Sequence, residues 1–236
     1  MVLLNRAPYR AALEGYYEFL RSVWVRLQEP AMEAPLKNLP YLYEVWGTLQ
    51  VLSALVDVAP KLGYVQTQEV RLFARDSDGL YIKLIPDGRA MLVLQHPSRG
   101  VQVRFIPQRA YARSGPVSSI SFTQVPDVTL EVRPLLGPPE LYLFDPKYKL
   151  DSDQSESTNS APKKEDIDKM HAYRDALRGH SNERVVKYAA ILYPGSGVSY
   201  APGDGETPEI AAIPANPEQS VAMEATVRHI MEVALA

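Results

Sequence analysis

Cysteine is absent from the 236-residue chain, and its absence excludes several kinds of chemistry. There is no disulfide, no thiolate zinc site and no cysteine nucleophile. Positive charge is also scarce, because 25 Lys and Arg face 28 Asp and Glu, giving a formal net charge of −3. Any binding of nucleic acid therefore needs a local basic surface, a metal ion or a partner that supplies the phosphate contacts.

Long apolar runs are missing as well. No stretch approaches the roughly 20 residues that a membrane-spanning helix needs, and the first residues lack the apolar core of a signal peptide. We therefore expect a soluble, cytoplasmic protein. Hydrophobic residues make up 46% of the chain, which is enough to bury a core of ordinary size.

The spacing of apolar residues predicts an N-terminal helical segment, residues 1–38, followed by a larger domain, residues 39–236. The helical start is compatible with a fragment of a longer protein. A helix over 41–59 is apolar nearly all round and should be buried. Short β-rich stretches separated by turn residues then predict a β-meander over 68–74, 80–85, 90–95 and 101–106.

The second half of the domain alternates strands and helices. The remaining predicted elements are strands at 128–132, 141–147 and 185–193, helices at 164–178 and 220–235, a flexible loop at 150–163 and a second loop at 194–217.

The strand predicted over 141–147 changes from apolar to charged. Alternate strand residues share a face, so Asp145 and Lys147 continue the face of Leu141 and Leu143. A buried face that becomes charged at one end often opens into a functional site, although a surface ion pair gives the same pattern. Asp145-x-Lys147 is the only Asp/Glu-x-Lys triplet in the chain.

A second carboxylate precedes this strand. Pro126-Asp127 opens the β-rich stretch 126–130, and a hairpin through residues 136–139 would bring Asp127 beside Asp145. Neighbouring carboxylates repel each other unless a cation lies between them. Mg²⁺ suits such a pair, since proteins usually hold it with one or two carboxylates plus substrate phosphate. Lys147 would then orient water or stabilise charge on the phosphate.

This arrangement resembles the signature of PD-(D/E)XK nucleases: a Pro-Asp, a hairpin-sized gap, then Asp/Glu-x-Lys at a strand end. Two stretches are similar to the McrC-like restriction nucleases of that superfamily. One is FDPKYK, residues 144–149, which resembles the DAKYK form of the motif with proline replacing alanine. The other is the helix DIDKMHAYRDAL, residues 166–177. The resemblance covers roughly residues 39–193.

The resemblance implies an α/β, restriction-endonuclease-like fold, with a mixed central β-sheet flanked by helices. It implies a Mg²⁺-dependent endonuclease that cleaves DNA, with Mn²⁺ able to substitute. Asp127 and Asp145 would hold the metal together with the backbone carbonyl of Pro146. Lys147 would activate or position the attacking water.

Several other residues have two interpretations. Glu44 lies in YEVW, similar to the family's YExW, and would be a third metal ligand; alternatively it is a charge in the first turn of a helix. Tyr173 is expected in the site because related nucleases use a tyrosine on this helix, although packing is the alternative. Lys149 and Lys169 would contact phosphate or lie in solvent.

The resemblance also implies partners. McrC-like nucleases work in restriction and anti-phage defence with a motor NTPase of the AAA+ class. The chain has no P-loop, so any such motor is a separate protein. A homodimer, a non-catalytic DNA-binding or assembly role, and an RNA-cleaving defence nuclease remain open. Since the sequence indicates no basic face, we expect this chain alone to bind DNA weakly.

Overall fold

The computed structural model describes residues 39–68, 74–75, 82–83, 88–148, 162–200 and 209–236. The chain divides into two units, Met1–Leu39 and Pro40–Ala236. All elements below belong to the second unit, apart from Leu39 itself. The predicted helical segment 1–38 and almost all of the predicted loop 150–163 lie outside the described residues.

The described residues form three α-helices, a short 3-10 turn and twelve strands. The helices are α1 (Leu39–Val58), α2 (Lys164–Ala176) and α3 (Ser220–Leu235), and the 3-10 turn Ala59–Leu62 follows α1. The strands are β1 (Val65–Gln68), β2 (Ala74–Arg75), β3 (Ile82–Lys83), β4 (Leu92–Gln95), β5 (Gln102–Pro107), β6 (Ser118–Ser119), β7 (Val128–Arg133), β8 (Glu140–Pro146), β9 (Leu177–Arg178), β10 (Val186–Tyr193), β11 (Val198–Tyr200) and β12 (Ile210–Pro214).

Eight of the strands form one mixed sheet in the order β1-β4-β5-β7-β8-β10-β12-β11. Strands β4, β5, β7 and β8 pair antiparallel, as in a meander, whereas β8, β10 and β12 are parallel. Two small sheets, β2-β3 and β6-β9, lie apart from it. The predicted α/β fold with a mixed central sheet is confirmed.

Alternate residues of β8 reach two different cores. Tyr142 and Phe144 join the cluster that includes α1 and α3, while Leu141 and Leu143 join the cluster that includes α2. The sheet is therefore covered on both faces. Burial on both sides explains why β10 appears in the sequence as an almost continuous apolar run.

The helices over 41–59 and 220–235 are confirmed as α1 and α3. The helix predicted over 164–178 is too long, because Leu177 is extended (φ −83°, ψ 123°) and pairs with Ser119 as part of β9. The predicted loop 194–217 contains β11 and β12. The many Gly and Pro residues of this segment favoured a loop, although β12 is a buried strand that pairs with β10. No described helix is long and apolar enough to cross a membrane.

Candidate active site

The hairpin of β7 and β8 brings two aspartates together. Its register runs from Val132 opposite Glu140 to Val128 opposite Phe144. Asp127 and Asp145, the next residues along, therefore face each other at the end of the hairpin. The predicted pairing of these strands is confirmed.

Two lysines surround this carboxylate pair. Lys147 Nζ donates a hydrogen bond to Asp127 Oδ2 at 2.8 Å and lies 2.8 Å from Asp145 Oδ1. Lys169, on α2, places its Nζ 3.0 Å from Asp145 Oδ2. The cluster thus combines two carboxyl groups from the sheet with two ammonium groups, one from the end of β8 and one from a helix.

Burial disfavours ionisation of both carboxyl groups, and contacts with their neighbours make the two pKa values unequal. Asp145 is fully buried. Burial and the adjacent Asp145 raise the pKa of Asp127 to about 8, although Lys147 opposes the shift. Burial also opposes ionisation of Asp145, but contact with Asp127 and the two lysines outweigh it and hold the pKa of Asp145 below its ordinary value. At neutral pH the pair therefore retains one proton, mainly on Asp127.

The two lysines stay charged because the neighbouring carboxylates stabilise their ammonium groups. Burial lowers the pKa of Lys147, but the carboxylates of Asp145 and Asp127 outweigh it and raise the pKa above its ordinary value. The same balance, dominated by Asp145, raises the pKa of Lys169. A neutral lysine base at this site is therefore disfavoured, and both ammonium groups act as hydrogen-bond donors and positive charges.

A cavity of about 350 Å³ opens beside the cluster, and it is lined by Pro40, Glu44, Pro146, Lys147, Tyr148 and Lys169. Glu44 accepts a hydrogen bond from Gln108 Nε2 at 3.1 Å. Because α1 begins at Leu39, Glu44 lies in its second turn, and no acidic residue occupies the first. The alternative explanation of Glu44 as a first-turn charge thus loses its support.

The donor set fits a divalent cation held mainly by two carboxylates. Each oxygen of Asp145 faces one ammonium group, at 2.8 and 3.0 Å, and since a carboxylate oxygen can accept more than one hydrogen bond or ligand, both retain acceptor capacity for a cation. Two carboxylates with additional phosphate and water ligands suit Mg²⁺. No three His, Asp or Glu side chains within the described residues lie close enough together to form a metal-binding group. Glu44 and the carbonyl of Pro146 therefore stay predicted ligands.

Tyr173 lies next to Lys169, on the same helix α2. Its ring is buried, its hydroxyl donates to the carbonyl of Val125 at 3.0 Å, and Lys169 Nζ lies 5.3 Å from the ring centre. Burial and the nearby aspartates raise the pKa of its hydroxyl, which stays protonated. Tyr173 thus holds the segment that precedes Asp127, and its predicted catalytic role remains a prediction.

Three residues at or beside the site were not predicted from the sequence to have the roles that the structure gives them. Lys169 was interpreted as a phosphate contact or a solvated residue, although its i, i+4 spacing from Tyr173 put both on one helix face. Gln108 contacts Glu44 and also donates its backbone N–H to the carbonyl of Asp127 at 2.9 Å. Gly47 allows α1 to approach Pro146 closely. Neither Gln108 nor Gly47 has a sequence pattern that indicates its role. Lys149, the other lysine interpreted as a phosphate contact or a solvated residue, lies outside the described residues.

A mixed sheet flanked by helices, with two aspartates and a lysine where a central hairpin ends, is the architecture expected of a restriction-endonuclease-like fold. A sequence profile described as the PD-(D/E)XK nuclease superfamily matches residues 41–198, about two thirds of the chain. The chain therefore belongs to the PD-(D/E)XK nuclease superfamily, whose members hydrolyse phosphodiester bonds of nucleic acids. Comparison with curated proteins and with solved structures gave no significant match.

Proposed function

We propose that this protein is a metal-dependent endonuclease that hydrolyses phosphodiester bonds of DNA. The main support is the cluster of Asp127, Asp145 and Lys147 beside a cavity, within a chain of the nuclease superfamily. A structural scaffold has no need for a buried aspartate, Asp145, beside a partly buried one, Asp127, that competes with it for one proton. Such an unfavourable arrangement is typical of a site built for a reaction.

Asp127 and Asp145 would hold the cation, with Pro146 and Glu44 as further proposed ligands. A bound Mg²⁺ would act as a Lewis acid on the scissile phosphate, and Mn²⁺ would substitute for it. Lys147, fixed between the two aspartates, is suited to donate hydrogen bonds to the attacking water and to the phosphate oxygens. Lys169 would neutralise Asp145 from the helix side.

The biological setting is proposed from the resemblance alone. The stretches FDPKYK and DIDKMHAYRDAL favour a McrC-like nuclease of a restriction or anti-phage defence system. That setting includes a separate AAA+ motor, a cytoplasmic location and recognition of the target by another domain or subunit. A homodimer would suit cleavage of both strands.

Plasmid cleavage with added Mg²⁺ or Mn²⁺ tests the proposal. We expect wild-type protein to cut, Asp145→Ala and Lys147→Ala to be inactive, and the surface variants Asp57→Asn and Lys187→Ala to resemble wild type. Asp57 and Lys187 are matched controls because each is exposed and forms only a surface ion pair. Equal cleavage by Lys147→Ala and wild type would refute the assignment. A parallel arm with RNA separates the two substrates.

A further inference from the structure

Three arginines converge on one buried glutamate outside the aspartate pair. Glu131, on β7, is fully buried. Arg104, opposite it on β5, lies 3.8 Å from its carboxylate; Arg109, just after β5, also lies at 3.8 Å; and Arg133, two residues along β7, contacts it directly. Arg109 additionally lies 5.3 Å from the ring centre of Tyr111.

The charges of this arginine cluster (Arg104, Arg109 and Arg133) do not balance. One carboxylate meets three guanidinium groups, and in the described part of the chain none of the three pairs with a second carboxylate. A buried glutamate requires a single cationic partner for charge balance. The three arginine side chains are 25–36% exposed, so each is partly accessible to solvent.

The cluster lies on the same face of the sheet as the aspartate pair. Along β7, side chains alternate between faces, so Glu131 and Arg133 share the face of Asp127. The cross-strand neighbour of Glu131 is Leu141, which packs in the α2-side core together with Leu143. At about 3.3 Å per strand residue, Glu131 is about 13 Å from Asp127. That distance is well short of one helical turn of a duplex, about 34 Å, so DNA bound at the aspartate pair can also reach the cluster.

We propose that the arginine cluster binds the phosphodiester backbone of the DNA substrate, within one helical turn of the bond that is cut. Guanidinium groups bind phosphate oxygens through paired hydrogen bonds. Glu131 holds the three groups in place before DNA arrives, which lowers the ordering cost of binding. This inference rests on the proposed nuclease function. It also revises our expectation from the net charge, because the chain does have a local basic surface.

Binding of a fluorescein-labelled DNA duplex, measured by anisotropy in EDTA over a range of salt concentrations, tests the proposal without any cleavage. The variants are Arg104→Gln and Arg133→Gln, each of which leaves two arginines for Glu131. We expect each to reduce the salt slope by about 0.9 and to weaken binding about eightfold at 0.1 M salt, as loss of one phosphate contact predicts. Arg104→Lys, which keeps the charge, should retain the slope.

The matched control is Arg228→Gln, an exposed arginine on α3, which packs on the opposite face of the sheet. It should bind like wild type. Phenylglyoxal modification of wild-type protein, mapped by mass spectrometry, provides a test that needs no variant: duplex DNA should protect the arginine cluster and leave Arg228 reactive.

Wild-type slope and affinity in both glutamine variants, or equal modification of the cluster with and without DNA, would overturn the proposal. Because these assays measure binding alone, their result is separate from that of the plasmid assay. Cleavage without arginine protection refutes only the arginine site. Arginine protection without cleavage supports the arginine site and counts only against endonuclease activity of this chain acting alone.

Discussion

Lys169 Nζ lies 3.0 Å from Oδ2 of Asp145, so helix α2 supplies a cation to a carboxylate at the end of strand β8. The other oxygen of Asp145 is 2.8 Å from Lys147. A fully buried aspartate thus has an ammonium group at each oxygen. This pairing explains why Asp145 stays ionised while the neighbouring Asp127 holds a proton.

Replacement of Lys169 by Gln should reduce cleavage about 10- to 100-fold, the usual effect of losing a residue that supports a metal ligand. Without Lys169, the pKa of the aspartate pair rises, so a proton is retained more tightly and competes with the metal. Initial cleavage rates over a series of Mg²⁺ concentrations measure the effect. Higher Mg²⁺ should recover part of the lost rate.

Lys164→Gln is the matched control, because Lys164 lies on the same helix but is exposed and pairs only with Asp168. Its rate should equal that of wild type. If Lys169→Gln also cleaved at the wild-type rate at every Mg²⁺ concentration, Lys169 would have no part in the reaction.

The shared proton makes the stability of the metal-free protein depend on pH. The pKa of Asp127 is about 8 in the folded protein, above the ordinary value of 3.8. The folded state therefore keeps a proton that the unfolded chain releases, and the stabilisation that this provides is complete below pH 4 and is lost as pH rises toward 8. We expect wild-type protein in EDTA to lose stability between pH 5 and 8 relative to Asp127→Asn.

Thermal melting of both proteins at several pH values measures this difference. Mg²⁺ should stabilise wild type more at pH 8 than at pH 6, because its binding requires release of the proton. Parallel pH curves for wild type and Asp127→Asn would contradict the assignment of the proton to this pair.

Much of this site was predictable because it depends on strand alternation. The period of two placed Asp145 and Lys147 on one face, and the turn residues at 136–139 fixed the hairpin that brings Asp127 alongside. Lys169 required knowledge of how α2 packs on the sheet. The arginine cluster was not predictable, because Arg104 and Arg133 contact the same glutamate only through the pairing of β5 with β7, two strands separated along the chain.

The close approach of α1 to β8 predicts a further sensitive position. A Cβ added at Gly47 would lie 2.7 Å from both Cβ and Cγ of Pro146. Alanine normally stabilises a helix interior by about 1 kcal/mol relative to glycine. Here the rigid proline ring has to move, so we expect Gly47→Ala to destabilise the protein by about 1–3 kcal/mol, as overpacking does.

Because Pro146 lies between Asp145 and Lys147, the same substitution should weaken cleavage most at low Mg²⁺. Urea unfolding and cleavage rates measure the two effects, with Ser53→Ala, at an exposed position of α1, as the control for added helix propensity. A more stable Gly47→Ala protein with full activity would show that α1 and the strand end move apart freely.

Substitution of Tyr173 tests whether this residue positions its neighbours or takes part directly in the reaction. Its hydroxyl donates to the carbonyl of Val125, and Tyr173 does not line the described cavity. We expect Tyr173→Phe to lower the free energy of unfolding by about 1 kcal/mol, the typical net value of one hydrogen bond. Cleavage should fall less than tenfold, because Asp127 is displaced only slightly.

Urea unfolding measures the loss of stability of Tyr173→Phe, and cleavage rates measure its loss of activity. Tyr188→Phe, on the other face of the sheet, controls for loss of a tyrosine hydroxyl. A hydroxyl that contacts the reacting atoms gives the opposite result: near-complete loss of cleavage, comparable to Lys147→Ala, with unchanged stability.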